Sequence, residues 1–333
     1  MTTAQKEHPF AEFIRILGKG KKGSRPLSQT EAYQAMRMIL ADEVEAMQLG
    51  AFLMLMRVKE ETPEELAGFV QAVRETLPKV SRQTADLDWS AYAGKRRHLP
   101  WFILSSLLLA ENDIKVLMHG CASHSENRLF AQEMLPLFAL ATANSFSEAE
   151  QQLQTQNFAY LSLEQLCPTL NNMIHLRALM GLRSPVHTLV RLINPFNADY
   201  SLQGIFHPGY RPVHQEAALL LGQPHMTVIK GEGGETERNP DMECLAQSVH
   251  QHELSEEIWP ALFARRHVKP ETLEPKQLVQ VWQGVRQDEF AEASIIGTTA
   301  IALKLLGKAD SQTSAQQLAS HYWYNRHKQR YSS

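Results

Sequence analysis

The chain has 333 residues, 44% of them hydrophobic, and a formal net charge of -3. That is enough apolar material for a sizeable core and two domains, and it excludes a disordered or uniformly basic chain. The N-terminus MTTAQKEHPF has no secretory apolar run, LPWFILSSLLLA is too short to span a bilayer, and Cys121, Cys167 and Cys244 are too widely spaced for a disulfide framework or metal set, so the expectation is a cytoplasmic protein with no membrane partner.

In chain order, a helix is expected over about 9–18, with Phe10, Phe13, Ile14 and Leu17 on one face. Ser28-Gln-Thr-Glu31 reads as a capping box opening a helix through Leu40. Asp42 is a candidate cap for the next helix, and Thr62-Pro-Glu-Glu65 opens a fourth that stops at Pro78. Residues 1–78 are therefore read as a helical domain whose broad apolar faces need further cover. The polar stretch from Lys79 to Asp88 reads as a linker. Beyond it the runs KVLMHG (115–120), FAYLSL (158–163), SLQGIF (201–206) and HMTVIKG (225–231) alternate with helical segments, which predicts an α/β domain over 79–333. Helices are expected over Ala293 to Leu306 and around HYWYNRHKQR at the end. The cations and aromatics of that last run read as a docked helix with a basic end rather than a platform for bases.

Charge is unevenly placed. No acidic residue lies between Glu164 and Asp199, a stretch that holds Arg177, Arg183 and Arg191. GKGKKGSR contributes Lys19, Lys21, Lys22 and Arg25, and AGKRRH contributes Lys95, Arg96 and Arg97. These basic islands point to an anionic partner that the net charge hides.

The segment from Arg177 to Pro195 resembles the stretch R-x-x-L-G-x-R-T-x-F-N-x-L-G-P-L-x-N-P of the anthranilate phosphoribosyltransferases, with Arg177, Gly181, Arg183, Leu189, Leu192, Asn194 and Pro195 in register. LGAFLMLMRVKEETPEELAGFVQAVRE resembles that family's small helical domain, His119-Gly120 its K-H-G-N-R turn, and GEGGETE its G-x-D-G-x-D-E. The resemblance implies a small all-helical dimerisation domain and a large α/β domain with a mostly parallel central sheet flanked by helices, as in nucleoside phosphorylases and phosphoribosyltransferases. It also implies that about 164–182 packs back on the helical domain.

Several motif positions differ. AYAGKRRHLPW replaces the G-T-G-G-D-G pyrophosphate loop, Met118 and Cys121 replace the lysine and asparagine of K-H-G-N-R, and Thr236-Glu237 replaces the D-E pair. Ser184-Pro-Val-His187-Thr-Leu-Val190-Arg191 replaces T-x-F-N-x-L-G-P. These changes resemble a divergent offshoot of the family that binds nucleic acid. The expectation is a homodimer that binds the backbone of single-stranded DNA, RNA or duplex DNA through Lys19, Lys21, Lys22, Arg25, Lys95, Arg96, Arg97, Arg183 and Arg191, with no catalytic residues, no metal site and no cofactor. In that reading His119, Arg183 and Glu237 are remnants. The alternative is a phosphoribosyltransferase or related glycosyltransferase with an altered acceptor, using those three residues and magnesium; a scaffold whose basic loops contact a protein is a third.

Overall fold

A computed structural model describes residues 6–80, 84–122 and 127–331. Helices α1 (Ala11–Gly18), α2 (Gln29–Leu40), α3 (Ala46–Lys59) and α4 (Pro63–Thr76) form the N-terminal unit. Its centre is aromatic: Phe10 meets Phe13 and Phe52 edge-on, and Phe52 meets Phe69. Gly68 lets α2 and α4 touch through main chain, since a Cβ there would stand 2.2 Å from the Gln29 carbonyl. The capping boxes at Ser28 and Thr62 both form. Asp42 does not cap α3; it sits in the preceding turn at φ 56, and the Gln48 side chain accepts from the Glu45 N–H instead.

The large unit begins with β1 (Leu87–Ala91) and continues through α5 (Phe102–Glu111), β2 (Val116–Gly120), α6 (Ala131–Met134), α7 (Phe146–Gln156) and β3 (Phe158–Ser162). Four short helices follow, α8 (Leu163–Leu166), α9 (Pro168–His175), α10 (Arg177–Met180) and α11 (Val186–Leu189). Then come β4 (Tyr200–Ile205), α12 (Tyr210–Leu220), β5 (His225–Lys230), β6 (Cys244–His250), β7 (Glu253–Trp259), α13 (Lys276–Trp282), α14 (Glu289–Leu305) and α15 (Gln312–Asn325). The expected linker is shorter than read, because its end is the first residues of central strand β1; residues 81–83 of it lie outside the described residues.

The sheet runs β3-β2-β1-β4-β5-β6-β7, parallel from β3 to β5 and antiparallel at β6 and β7. Between β1 and β4 the chain order reverses, leaving a crevice beyond the carboxyl ends of those strands where ligands of such sheets bind. Helix α5, buried along nearly its whole length, packs against α14 on one side of the sheet. On the other side α4 packs on α12, and Arg74 of α4 donates to the Ile193 carbonyl at 2.7 Å and the Leu192 carbonyl at 2.9 Å. These contacts bring the end of α3 over the crevice.

Candidate functional site

The crevice holds two adjoining pockets that share Arg57, Arg183, Phe206, His207 and Gly233. The outer one is lined by four half-buried arginines, Arg57, Arg128, Arg177 and Arg183, and by no carboxylate among the described residues. They come from the end of α3, the loop after β2, α10 and the turn after it, so the fold rather than local sequence assembles them. Burial, then the neighbouring charges of Arg128, Arg177, Arg191 and Arg57, push the Arg183 guanidinium down to about 10. Holding such cations together costs free energy that a bound anion offsets.

The inner pocket adds Glu61, Ser184, His187, Thr188, Tyr210 and His214, and Glu61 is the single carboxylate among its described lining residues. Burial raises the Glu61 carboxyl, although the Tyr210 hydroxyl donates to it at 2.8 Å. His214 ends a buried chain of hydrogen bonds. The Asp88 carboxylate accepts from the Ser201 hydroxyl at 2.8 Å, Ser201 accepts from the Gln203 amide at 3.2 Å, and the Gln203 carbonyl faces His214 Nδ1 at 2.8 Å. With each donor fixed by the one before, Nδ1 carries the proton and Nε2 is left as an acceptor. Burial pushes His214 down to about 3, so at neutral pH Nε2 can accept a hydrogen bond but is too weak a base to take a proton.

Under the arginines, the segment after β1 is closed by carboxylates from the GEGGETE turn. The main-chain N–H groups of Ala93 and Gly94 both donate to Glu235 Oε1, those of Arg96 and Arg97 to Glu232 Oε1, and that of Phe102 to Glu237 Oε2. Lys95 is buried and paired with Glu237 and Glu232. Arg128 donates to the Ala93 and Gly94 carbonyls at 3.0 and 2.9 Å, and Arg191, buried, to those of Gly204 and Gly234 at 3.0 and 2.8 Å.

The residues expected to meet a polyanion are thus dispersed. Lys95 and Arg191 are structural, their charges and donors spent inside the protein. Arg25 is held by both oxygens of Glu31. Lys19, Lys21, Lys22, Arg96 and Arg97 are exposed and line neither pocket; of the expected cations Arg183 and Arg191 line the cleft, and Arg191 has its donors taken by main-chain carbonyls. His119 is buried between Asp88, 3.0 Å from Nε2, and the Tyr92 hydroxyl, 2.7 Å from Nδ1. At the carboxylate pair that the resemblance assigns to magnesium, Thr236 donates its hydroxyl to the Ser90 carbonyl and both Glu237 oxygens are engaged, so these residues do not fit that ion. In the C-terminal run, Arg326 stacks 3.4 Å over the buried Trp323 ring and donates to the main chain of α13, which makes it a docking residue.

Sequence reading missed Arg57, Arg128, Glu61 and His214. The dense KEE after Arg57 reads as solvated acid, and nothing local shows that Glu61 turns inward to Tyr210. GEGGETE was visible, but that its acids close the loop before α5 depends on contacts spanning 135 or more residues.

Comparison with known proteins follows the same outline. Residues 11–77 match the glycosyl transferase family, helical bundle domain. The chain is 28% identical to the anthranilate phosphoribosyltransferase of Ignicoccus hospitalis over 86% of its own length and 85% of that protein's. Its fold matches the anthranilate phosphoribosyltransferase of Thermus thermophilus with a TM-score of 0.77 at 21% identity, covering 95% and 94% of the two chains. The Saccharomyces cerevisiae enzyme in complex with PRPP and Mg gives 0.75 at 16% identity, covering 95% and 93%. The expected architecture, a small helical domain and a large α/β domain with a mostly parallel sheet, is the one found. The nucleic-acid reading is corrected: these relatives and structural neighbours are phosphoribosyltransferases, and nothing in them points to DNA or RNA.

Proposed function

We propose that the protein is a glycosyl-transfer enzyme of the phosphoribosyltransferase type with an altered acceptor, in which arginines rather than a metal carry the charge of the phosphorylated donor. The observation that carries this is the arginine quartet at the β1–β4 switch point, with no carboxylate lining that pocket among the described residues. Guanidinium groups match phosphate oxygens in pairs and keep their charge, which suits them to a leaving group that gains charge as its bond breaks.

In this reading the donor's diphosphate lies along Arg57, Arg128, Arg177 and Arg183, and the acceptor enters the inner pocket. The anomeric C–O bond breaks with its electron pair leaving on the diphosphate. An acceptor nitrogen or oxygen forms the new bond to that carbon, and its proton passes to Glu61, the carboxylate whose raised pKa suits a general base. His214 Nε2 accepts a hydrogen bond from the acceptor and fixes its orientation. The replaced T-x-F-N-x-L-G-P residues include Ser184 and His187 of this pocket, which supports an acceptor different from that of the similar enzymes.

Calorimetric titration with phosphoribosyl pyrophosphate in the presence of a chelator tests the donor half. Binding is expected, and Arg183→Ala should weaken it about 10- to 100-fold, the worth of one charge-assisted contact at about 1.5–3 kcal/mol. No binding to the wild-type protein at low ionic strength, or binding indifferent to Arg183, would overturn the reading. Pyrophosphate release measured across amine and heterocycle acceptors then identifies the second substrate class, and Glu61→Gln should lower that rate about 100-fold or more with donor binding unchanged.

A further inference from the structure

We infer that Glu235 is an internal ligand that holds an oxyanion site shut, so that the turn over residues 231–237 gates entry of the donor's diphosphate. This rests on the transferase reading above and adds a control to the same cleft.

Two consecutive main-chain N–H groups converging on one oxygen is the geometry of an anion nest, and Ala93 and Gly94 form it with Gly94 at φ 66. The nest is extended by the Arg96 and Arg97 N–H groups and by that of Phe102 at the start of α5. Every one of these donors is met by a carboxylate from a single turn. The match is incomplete on the acid's side. Glu235 is 0% exposed, and its second oxygen, Oε2, is buried with no hydrogen-bond partner among the described residues. A carboxylate so placed gives up hydration at half its acceptor positions and regains nothing there. A phosphate in the nest offers the same donors a comparable acceptor, and its other oxygens remain toward the arginines.

The turn is also built from residues that permit a second conformation. Gly233 and Gly234 lie at φ 72 and 99, and a Cβ on Gly231 would fall 1.8 Å from the Glu235 carbonyl oxygen, so the closed form depends on glycine. Gly233 lines both pockets, which makes this turn the floor of the cleft. Arg191 and Arg128 grip carbonyls on the two sides of the contact, Gly234 on the turn and Ala93 and Gly94 on the loop. A diphosphate lying on the arginines therefore reaches the nest by displacing Glu235.

Inorganic pyrophosphate, titrated calorimetrically at low ionic strength with chelator, is the probe. Glu235→Ala, shown by thermal unfolding to be folded, should bind it at least 10-fold more tightly than the wild-type chain. Equal or weaker binding overturns the gate. Glu235→Gln fills the same space and its carbonyl still accepts the two N–H bonds without a charge, so a smaller gain is expected; if the alanine variant fails to fold, a gain with glutamine supports the gate and no gain overturns it. The two readings separate cleanly. Phosphoribosyl pyrophosphate binding that depends on Arg183, with no gain in either Glu235 variant, removes the gate and leaves the transferase. A gain for pyrophosphate in a protein that binds no phosphoribosyl pyrophosphate does the reverse.

Discussion

At the level of single residues, the interior carries carboxyl groups that pull stability in a definite direction with pH. Burial raises Glu61, Glu235 and Glu237, and in each the penalty on the charged form exceeds the help of its partners. A carboxyl raised on folding contributes stability that is complete below its unfolded value and lost as pH rises through the folded one. Neutral imidazole at His214, pushed down to about 3, acts oppositely: its contribution is present above about 6.5 and lost as pH falls. Because the two slopes have opposite signs and overlap below about pH 6.5, the wild-type curve mixes them and a difference between variants is the informative quantity. Glu61→Gln keeps an acceptor for Tyr210 and removes the titration. The wild-type melting temperature, taken relative to this variant, should therefore rise as pH is lowered from 8 to 5. A gap that stays flat over that range would show that Glu61 is not raised.

Among the elements, α4 has the most to lose from one substitution. Thr62 accepts from the Glu65 N–H at 3.3 Å, and Glu65 returns to the Thr62 N–H at 2.9 Å while its other oxygen takes the Leu27 N–H at 2.8 Å. The cap thus also ties down the chain entering α2. Thr62→Ala should cost about 1.5–2 kcal/mol in urea unfolding, toward the upper part of the range for caps because Glu65 is 1% exposed. An unchanged midpoint would mean the box contributes nothing here. This cap was readable because its chemistry lies within four residues, as were β2, β3, β4 and β5, whose apolar runs match buried parallel strands. Strand β1 was not readable. Asp88 and Ser90 are wholly buried in it, and Asp88 is acceptable there only because Ser201 and His119 answer it from neighbouring strands. Strand β7 was missed for the opposite reason: as an edge strand it is mostly exposed and its sequence, ELSEEIW, is largely acidic. The site follows the same division. Arg177 and Arg183 stand in a local motif that the sequence displays, although only Arg183 was expected to meet a ligand. Lys95 and Arg191 looked like free cations, because the carboxylates and carbonyls that consume them come from the 231–237 turn and β4.

For the whole molecule, the cleft exists only while the helical unit stays seated on the sheet, since Arg57 and Glu61 come from one and Arg183, His207 and His214 from the other. Arg74 is the polar element of that seat. Burial pushes it down to about 10, and its Nε and Nη2 groups reach across to two carbonyls just past α11. Removing the side chain leaves those carbonyls without their donors and loses the packing of α4 on this segment. Arg74→Ala should then cost about 3 kcal/mol, combining two charge-assisted hydrogen bonds with the desolvation of their acceptors. Arg74→Lys keeps the charge but presents no planar pair of donors, so about half that loss is expected. Exposed Arg37→Ala is the control and should stay within about 0.5 kcal/mol of wild type. Guanidinium unfolding of the three variants measures these values. If the seat is what holds the two halves of the cleft in register, Arg74→Ala should also weaken phosphoribosyl pyrophosphate binding although Arg74 lines neither pocket. A variant as stable as wild type, or one destabilised by the full amount yet binding the donor unchanged, would show that the cleft's arginines are aligned by contacts other than this one.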